Sequence, residues 1–155
     1  MPEIRPLAEI IDDRLEGVTI EDSVPALLKV APSALVELAR LLAGDRELGF
    51  SLLYSITGMD TGEGLGTVYH VYSPARSELA VVKVLFGYDD PRVPSVSGVW
   101  PAADWHEREC WDMLAITFDG HPDLSHLLVL DHTKGALLRK DVPLRTIEEA
   151  RARGD

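Results

Sequence analysis

The sequence predicts an α+β domain, with helices packed on a mainly antiparallel sheet and an extended C-terminal arm. Three observations carry this expectation. Two helical stripes come first, three consecutive strand-like runs follow them, and a leucine-rich segment without regular periodicity closes the chain. A chain of 155 residues suits one domain that buries roughly two thirds of its unfolded surface. The expected division is a globular body over 1–116 and a docking arm over 117–155.

Pro6 opens a short amphipathic helix in which Leu7, Ile10, Ile11 and Leu15 share a face, and Gly17 stands where a C-cap would. Val18 to Glu21 and Ala26 to Val30 are short β candidates. Pro32 and Ser33 begin a second helix, with Leu35, Leu38 and Leu42 on one face and Gly44 beyond its end. The strand-like runs are Gly49 to Thr57, Thr67 to Ser73 and Leu79 to Phe86, each bounded by Gly, Pro or Asp. In the third, Val82, Val84 and Phe86 alternate with Val81, Lys83 and Leu85, so one face packs on the helices. Gly62-Glu63-Gly64-Leu65-Gly66 invites a phosphate-binding reading, but it joins two strands with no helix N-terminus behind it, and is expected to be a hairpin connection. Asp90-Pro91 to Gly98 reads as a loop. A third helix follows from Pro101, carries Asp104 in its first turn, and runs to about Ala115.

The net charge of −11 argues against nucleic acid or an anionic membrane surface as the direct partner. Residues 1–116 hold 19 acidic and 9 basic side chains, against 7 and 6 in 117–155. A near-neutral, leucine-rich arm is what a docking surface tolerates best. The single cysteine, Cys110, leaves no intramolecular disulfide and no cluster held by several thiolates of this chain. The N-terminal residues lack the basic start and apolar run of a secretory signal, and no stretch approaches the roughly 18 apolar residues that span a bilayer. The expectation is a cytoplasmic protein.

The most specific stretch lies between Trp100 and Leu144. Glu107, Arg108 and Glu109 are followed by Asp112, Met113, Ile116, Phe118, Gly120, His121, Pro122, Asp123 and Leu124, and a second block reads Leu138-Arg139-Lys140-Asp141-Val142-Pro143-Leu144. In residue type, spacing and order this resembles the signature of the 30 kDa subunit family of respiratory complex I, which also occurs in membrane-bound energy-converting hydrogenases. Three positions depart from the family pattern: Leu114 where an aromatic is usual, Ala115 where Gly is usual, and Ser125 where Thr or a basic residue is usual. Val129 to Leu137 also differs from the segment of NADH-linked members, where Gly-His-Pro precedes the closing block.

Several residues admit more than one chemistry. His121, His126 and His132 lie close together in sequence, but their spacing fits no compact metal motif and no second cysteine assists. A small His-ligated metalloenzyme is the alternative from another class. His106 and Cys110 are neighbours at i, i+4, yet Glu107, Glu109 and Asp112 around the thiol would raise its pKa, which favours a structural cysteine. Glu107, Glu109 and Asp112 with Arg108 could form an acid–base pair. They could equally form a charge ladder, with Arg108 reaching Asp104 and Asp112. The resemblance adds a third role, fixing the helix against the tail and a neighbouring subunit. Arg139, Lys140 and Asp141 read as a solvated cluster or as a polar anchor inside an apolar interface. Of Trp100, Trp105 and Trp111, at least one is expected in the core and at least one at an interface.

No nucleophile–base–orienter constellation and no cofactor motif emerges, so no activity is expected of the chain alone. The resemblance implies a non-catalytic peripheral subunit of a proton-translocating NADH-quinone oxidoreductase. It would scaffold the partner related to the hydrogenase large subunit, of 49 kDa type, near the quinone site, on the cytoplasmic side of the membrane and without inserting into it. NADH, FMN, iron–sulfur clusters and quinone would belong to partner subunits. An equivalent subunit of a membrane-bound hydrogenase or an F420- or ferredoxin-linked complex is the alternative. The interface residues implied are Glu107, Arg108, Glu109, Asp112, His121, Pro122, Asp123, Leu124, Arg139, Lys140, Asp141, Pro143 and Leu144.

Overall fold

The computed structural model describes residues 5–21, 23–129 and 136–142. In chain order these form α1 (Leu7–Asp12), β1 (Val18–Glu21), β2 (Ala26–Val30), a 3-10 turn (Pro32–Ala34), α2 (Leu35–Gly44), β3 (Leu52–Asp60), β4 (Leu65–Ser73), β5 (Glu78–Phe86), β6 (Arg92–Pro94), α3 (Ala103–Leu114) and β7 (Thr117–Asp119). Five strands make one sheet in the order β1-β2-β5-β4-β3, antiparallel throughout except for the β2–β5 pair. A second, two-stranded parallel sheet joins β6 and β7 around α3. The expected α+β architecture with a mainly antiparallel sheet is the observed one.

The period-2 pattern decides which sheet face is buried. Leu28, Val30, Leu53, Ile56, Tyr69, Val71, Ala80, Val82 and Val84 point to one side, where they share a single core with Leu7, Ile10 and Ile11 of α1, Leu35, Leu38 and Leu42 of α2, and Cys110 and Leu114 of α3. The α3 helix packs against β3 at Gly58. A Cβ at Gly58 would stand 2.6 Å from the Leu114 side chain and 3.4 Å from Cys110 Sγ, so the absence of a side chain is what lets helix and strand approach. Trp100 is buried and its indole N–H donates to the Phe50 carbonyl at 2.9 Å, tying the entry of α3 to the segment before β3.

Several boundaries differ from the sequence expectation. Residues 49–51 are used in leaving α2, with Gly49 at φ +59° and the Phe50 N–H donating to the Leu42 carbonyl, so β3 begins at Leu52. The β4 strand begins at Leu65 rather than Thr67, because Gly66 pairs with Leu85; a Cβ there would lie 2.6 Å from the Val84 carbonyl oxygen. Gly64 and Gly66 serve close strand pairing within a hairpin, and Gly62, at φ +86°, serves its turn. The expected loop over Asp90 to Gly98 contains β6. Its partner β7 falls within the expected arm, yet Phe118 is buried, and the body continues to Asp119.

Candidate functional site

The α3 helix begins after two turns in which the Trp100 N–H donates to the Val96 carbonyl and the Ala103 N–H to the Trp100 carbonyl, and it ends at Ala115, whose φ of 54° and ψ of 33° are left-handed. That left-handed cap turns the chain into β7, and Gly120, at φ +81°, turns it again. The segment 121–129 then runs beside α3 in the same direction. His121 lies by Asp104, Ser125 by Arg108, and Leu127 to Val129 by Asp112.

Asp112 is the centre of this contact. Its buried carboxylate accepts the backbone N–H groups of Leu127 at 2.8 Å, Leu128 at 2.7 Å and Val129 at 3.4 Å on one oxygen, and His126 Nδ1 lies 2.7 Å from the other. Burial alone would push its pKa up. The converging donors outweigh that and hold it down at about 2. The His126 ring also packs on Trp111, with centroids 4.9 Å apart.

Arg108 uses its fork on the same segment. Nε donates to the Ser125 carbonyl at 3.2 Å, and one terminal nitrogen donates to Ser125 Oγ at 3.1 Å and to the His126 carbonyl at 3.2 Å. Its guanidinium lies 5.2 Å from the centre of the exposed Trp105 ring. The expected charge ladder is therefore not formed. Among the described residues, Arg108 makes no ion pair with Asp104 or Asp112, because the returning chain offers it carbonyls and occupies Asp112 completely.

Glu107 points the other way, into the body. It is fully buried, accepts the Ser95 hydroxyl at 2.6 Å and the Val96 N–H at 2.8 Å, and burial pushes its pKa up despite these donors. The His121 ring is buried between helix and loop. Its Nδ1 accepts the Asp123 N–H at 3.0 Å, which assigns the proton to Nε2, and Nε2 donates to the Asp104 carbonyl at 3.2 Å and stands 3.8 Å from Glu107. Asp123 also accepts the Ser125 hydroxyl at 3.2 Å. Pro122 is exposed, Leu124 packs against the core, and Glu109 is exposed beside a cleft. Cys110 is buried 3.9 Å from the Ile56 carbonyl, and burial pushes its thiol up to about 12, as suits a structural cysteine.

The closing block makes a second contact. The Leu138 N–H donates to the Met113 carbonyl at 2.9 Å, and the Lys140 N–H donates to Asp60 at 2.7 Å. Asp60 also accepts the Tyr88 hydroxyl, while the Arg139 guanidinium lies 5.2 Å from the Tyr88 ring centre and is paired with Asp141. Asp60, Tyr88 and Ser95 carry no mark in the sequence. Asp60 reads as an ordinary turn residue, and it does cap the Gly62 N–H. Pro143, Leu144 and His132 lie outside the described residues. Between β3, α3 and Leu138 is a cleft of about 340 Å³ lined by Ser55, Thr57, His106, Glu109 and Met113.

The arrangement puts the ionisable side chains Glu107, Arg108 and Asp112 into holding main chain, and leaves Trp105, Leu128, Leu137, Leu138 and Val142 exposed. Among the described residues, no three His, Cys, Asp or Glu side chains are grouped to hold a metal ion. Such a geometry is suited to presenting a rigid, partly apolar surface. Residues 28–148 match the family described as the respiratory-chain NADH dehydrogenase 30 kDa subunit. The chain is 41% identical over 136 residues to the second C-type subunit of the NADH-quinone oxidoreductase of Rhizobium etli, covering 83% of this chain and 72% of that one. A trypsin-resistant fragment (1–134) of Nqo5 superposes with a TM-score of 0.64 at 29% identity, over 76% of this chain and 98% of the fragment. A chain of the archaeal membrane-bound sulfane sulfur reductase, a respiratory membrane complex, shares the fold with a TM-score of 0.77 at 21% identity, over 95% of this chain and 88% of that one.

Proposed function

The chain belongs to the respiratory-chain NADH dehydrogenase 30 kDa subunit family, and from that premise we propose that it is a non-catalytic scaffold within a complex I-like assembly of many subunits. Its partner would be the subunit related to the hydrogenase large subunit, of 49 kDa type, near the quinone site. NADH, FMN, the iron–sulfur clusters and the quinone would be held by partner subunits. None of the described helices is long and apolar enough to cross a membrane. Attachment would be peripheral, through the other subunits, on the cytoplasmic side.

One observation supports this reading above the rest. The signature residues Arg108, Asp112 and His121 clamp 121–129 onto α3 through main-chain groups, so that exposed Leu128 and Trp105 are displayed from a fixed frame. Pre-organised apolar anchors of this kind lose little freedom on docking, which favours affinity.

Affinity purification of the tagged chain from solubilised membranes, with partners identified by mass spectrometry, tests it. Recovery of the large-subunit-like partner is expected. Recovery of the chain alone, under conditions that keep the parent complex intact, overturns the reading. The departure of Val129 to Leu137 from NADH-linked members favours a second reading, the equivalent subunit of a membrane-bound hydrogenase or an F420- or ferredoxin-linked complex. Hydrogenase subunits, in place of NADH-binding ones, among the recovered partners would establish it.

A further inference from the structure

The five-stranded sheet has a second face that the core does not use. The core takes its side chains from the face carrying Tyr69, Val82 and Val84; the alternating residues Leu27, Val68, Tyr72, Leu79 and Val81 lie opposite and are partly exposed. On the same side Leu52 is 45% exposed, Tyr54 57% and Leu85 50%, with the Tyr54 and Tyr72 rings stacked 5.4 Å apart. Four inter-strand spacings and a nine-residue strand make this face about 19 Å by 30 Å at its widest. That is roughly 500 Å² in projection, the same order as the roughly 800 Å² per partner of a stable interface.

The charge on this face is unlike the rest of the chain. Only four of the 155 residues are lysines, the net charge is −11, and two of those lysines, Lys29 and Lys83, stand side by side in the β2–β5 register. Lys29 is matched by Glu21. Lys83 sits on the middle strand, opposite Val68 and between Val81 and Leu85, and has no carboxylate within 4.0 Å among the described residues. A partner covering the surrounding aliphatic and tyrosyl side chains would desolvate this ammonium, a large penalty unless an anion meets it. An anionic lipid surface is disfavoured by the net charge of the whole chain.

We propose that this open sheet face is a second docking surface, which takes an apolar patch on another protein of the assembly, with an Asp or Glu in that patch pairing with Lys83. The proposal rests on the chain being a subunit of a larger assembly. It places the contact on the opposite side of the sheet from α3 and the segment that runs along it.

Lysine acetylation with a small water-soluble reagent, followed by peptide mass spectrometry, tests it on the purified full chain and on the intact complex in parallel. Lys83 should be modified at least tenfold more slowly in the complex, and carbodiimide coupling of the complex should join Lys83 to an acidic residue of a different subunit. Equal acetylation in both samples overturns the proposal, and so does coupling of Lys83 to a second copy of this chain. If the tagged chain recovers no complex at all, the subunit reading itself fails, a result separable from an exposed Lys83 within a recovered complex.

Discussion

Asp112→Asn is the sharpest perturbation of the helix–segment contact. It keeps the shape and one acceptor but removes the charge on which the N–H groups of Leu127 and Leu128 converge at 2.8 and 2.7 Å. The carboxylate is held at about 2 instead of 3.8, and at about 1.4 kcal/mol per pKa unit its charge contributes roughly 2.5 kcal/mol to the contact, or about 60-fold in its equilibrium. Because the folded value is depressed, this stability is complete above pH 3.8 and is lost as the pH falls towards 2. Amide hydrogen exchange at Leu127 and Leu128 reads the contact directly. Their protection should fall by about 60-fold in the variant while that of β4 and β5 stays near the parent's, and the wild-type loss of protection between pH 4 and 2 should disappear. Unchanged protection at these two amides, or an acid transition that persists in the Asn variant, would refute the assignment of the charge to this contact.

Ala115→Gly should raise the unfolding free energy by about 1 kcal/mol in urea titration, since Ala115 holds φ 54° at the end of α3 where glycine is unstrained; equal or lower stability would show that the left-handed cap is not strained. Gly58→Val should lower it by about 2–3 kcal/mol, because the new side chain meets the buried Leu114; a melting temperature within a degree of wild type would count against the close helix–strand approach. Arg108→Lys keeps the charge but cannot reproduce the fork on Ser125 and His126. Limited proteolysis within 121–129 should quicken several-fold, and retention in the complex should drop more than the melting temperature does. A parallel loss in both would mean that Arg108 serves only the fold.

Local elements were legible where one short-range signal sufficed. The α2 stripe of Leu35, Leu38 and Leu42 and the alternation around Val82 and Val84 each act within a few residues, and those elements formed, although α2 opens at Leu35 behind the Pro32–Ala34 turn and takes in Gly44. The identity of the signature was legible for a different reason. Arg108 and Asp112 hold the main chain of 125–129 and His121 that of Asp104, so types and spacing are constrained together and in order along the chain. Their partners were not legible. The expected ladder from Asp104 to Asp112 obeyed the i, i+4 rule, but a carboxylate facing three converging N–H groups and an imidazole is better satisfied by them than by a guanidinium, and the chain that brings them arrives from 14 to 17 residues away.

The same division holds for the whole chain. The class of fold, the family and the residues of the helix signature follow from the order of residues, because periodicity, turn chemistry and spaced side-chain types are properties of neighbours along the chain. Packing in three dimensions is what pairs β6 with β7, makes Gly58 and Gly66 points of close approach, brings the closing block to Asp60 and Tyr88, and stands Lys83 on an open face among apolar side chains. Each of these depends on which distant segments meet, and strand order and register, unlike propensity, are set by the burial of the whole sheet at once.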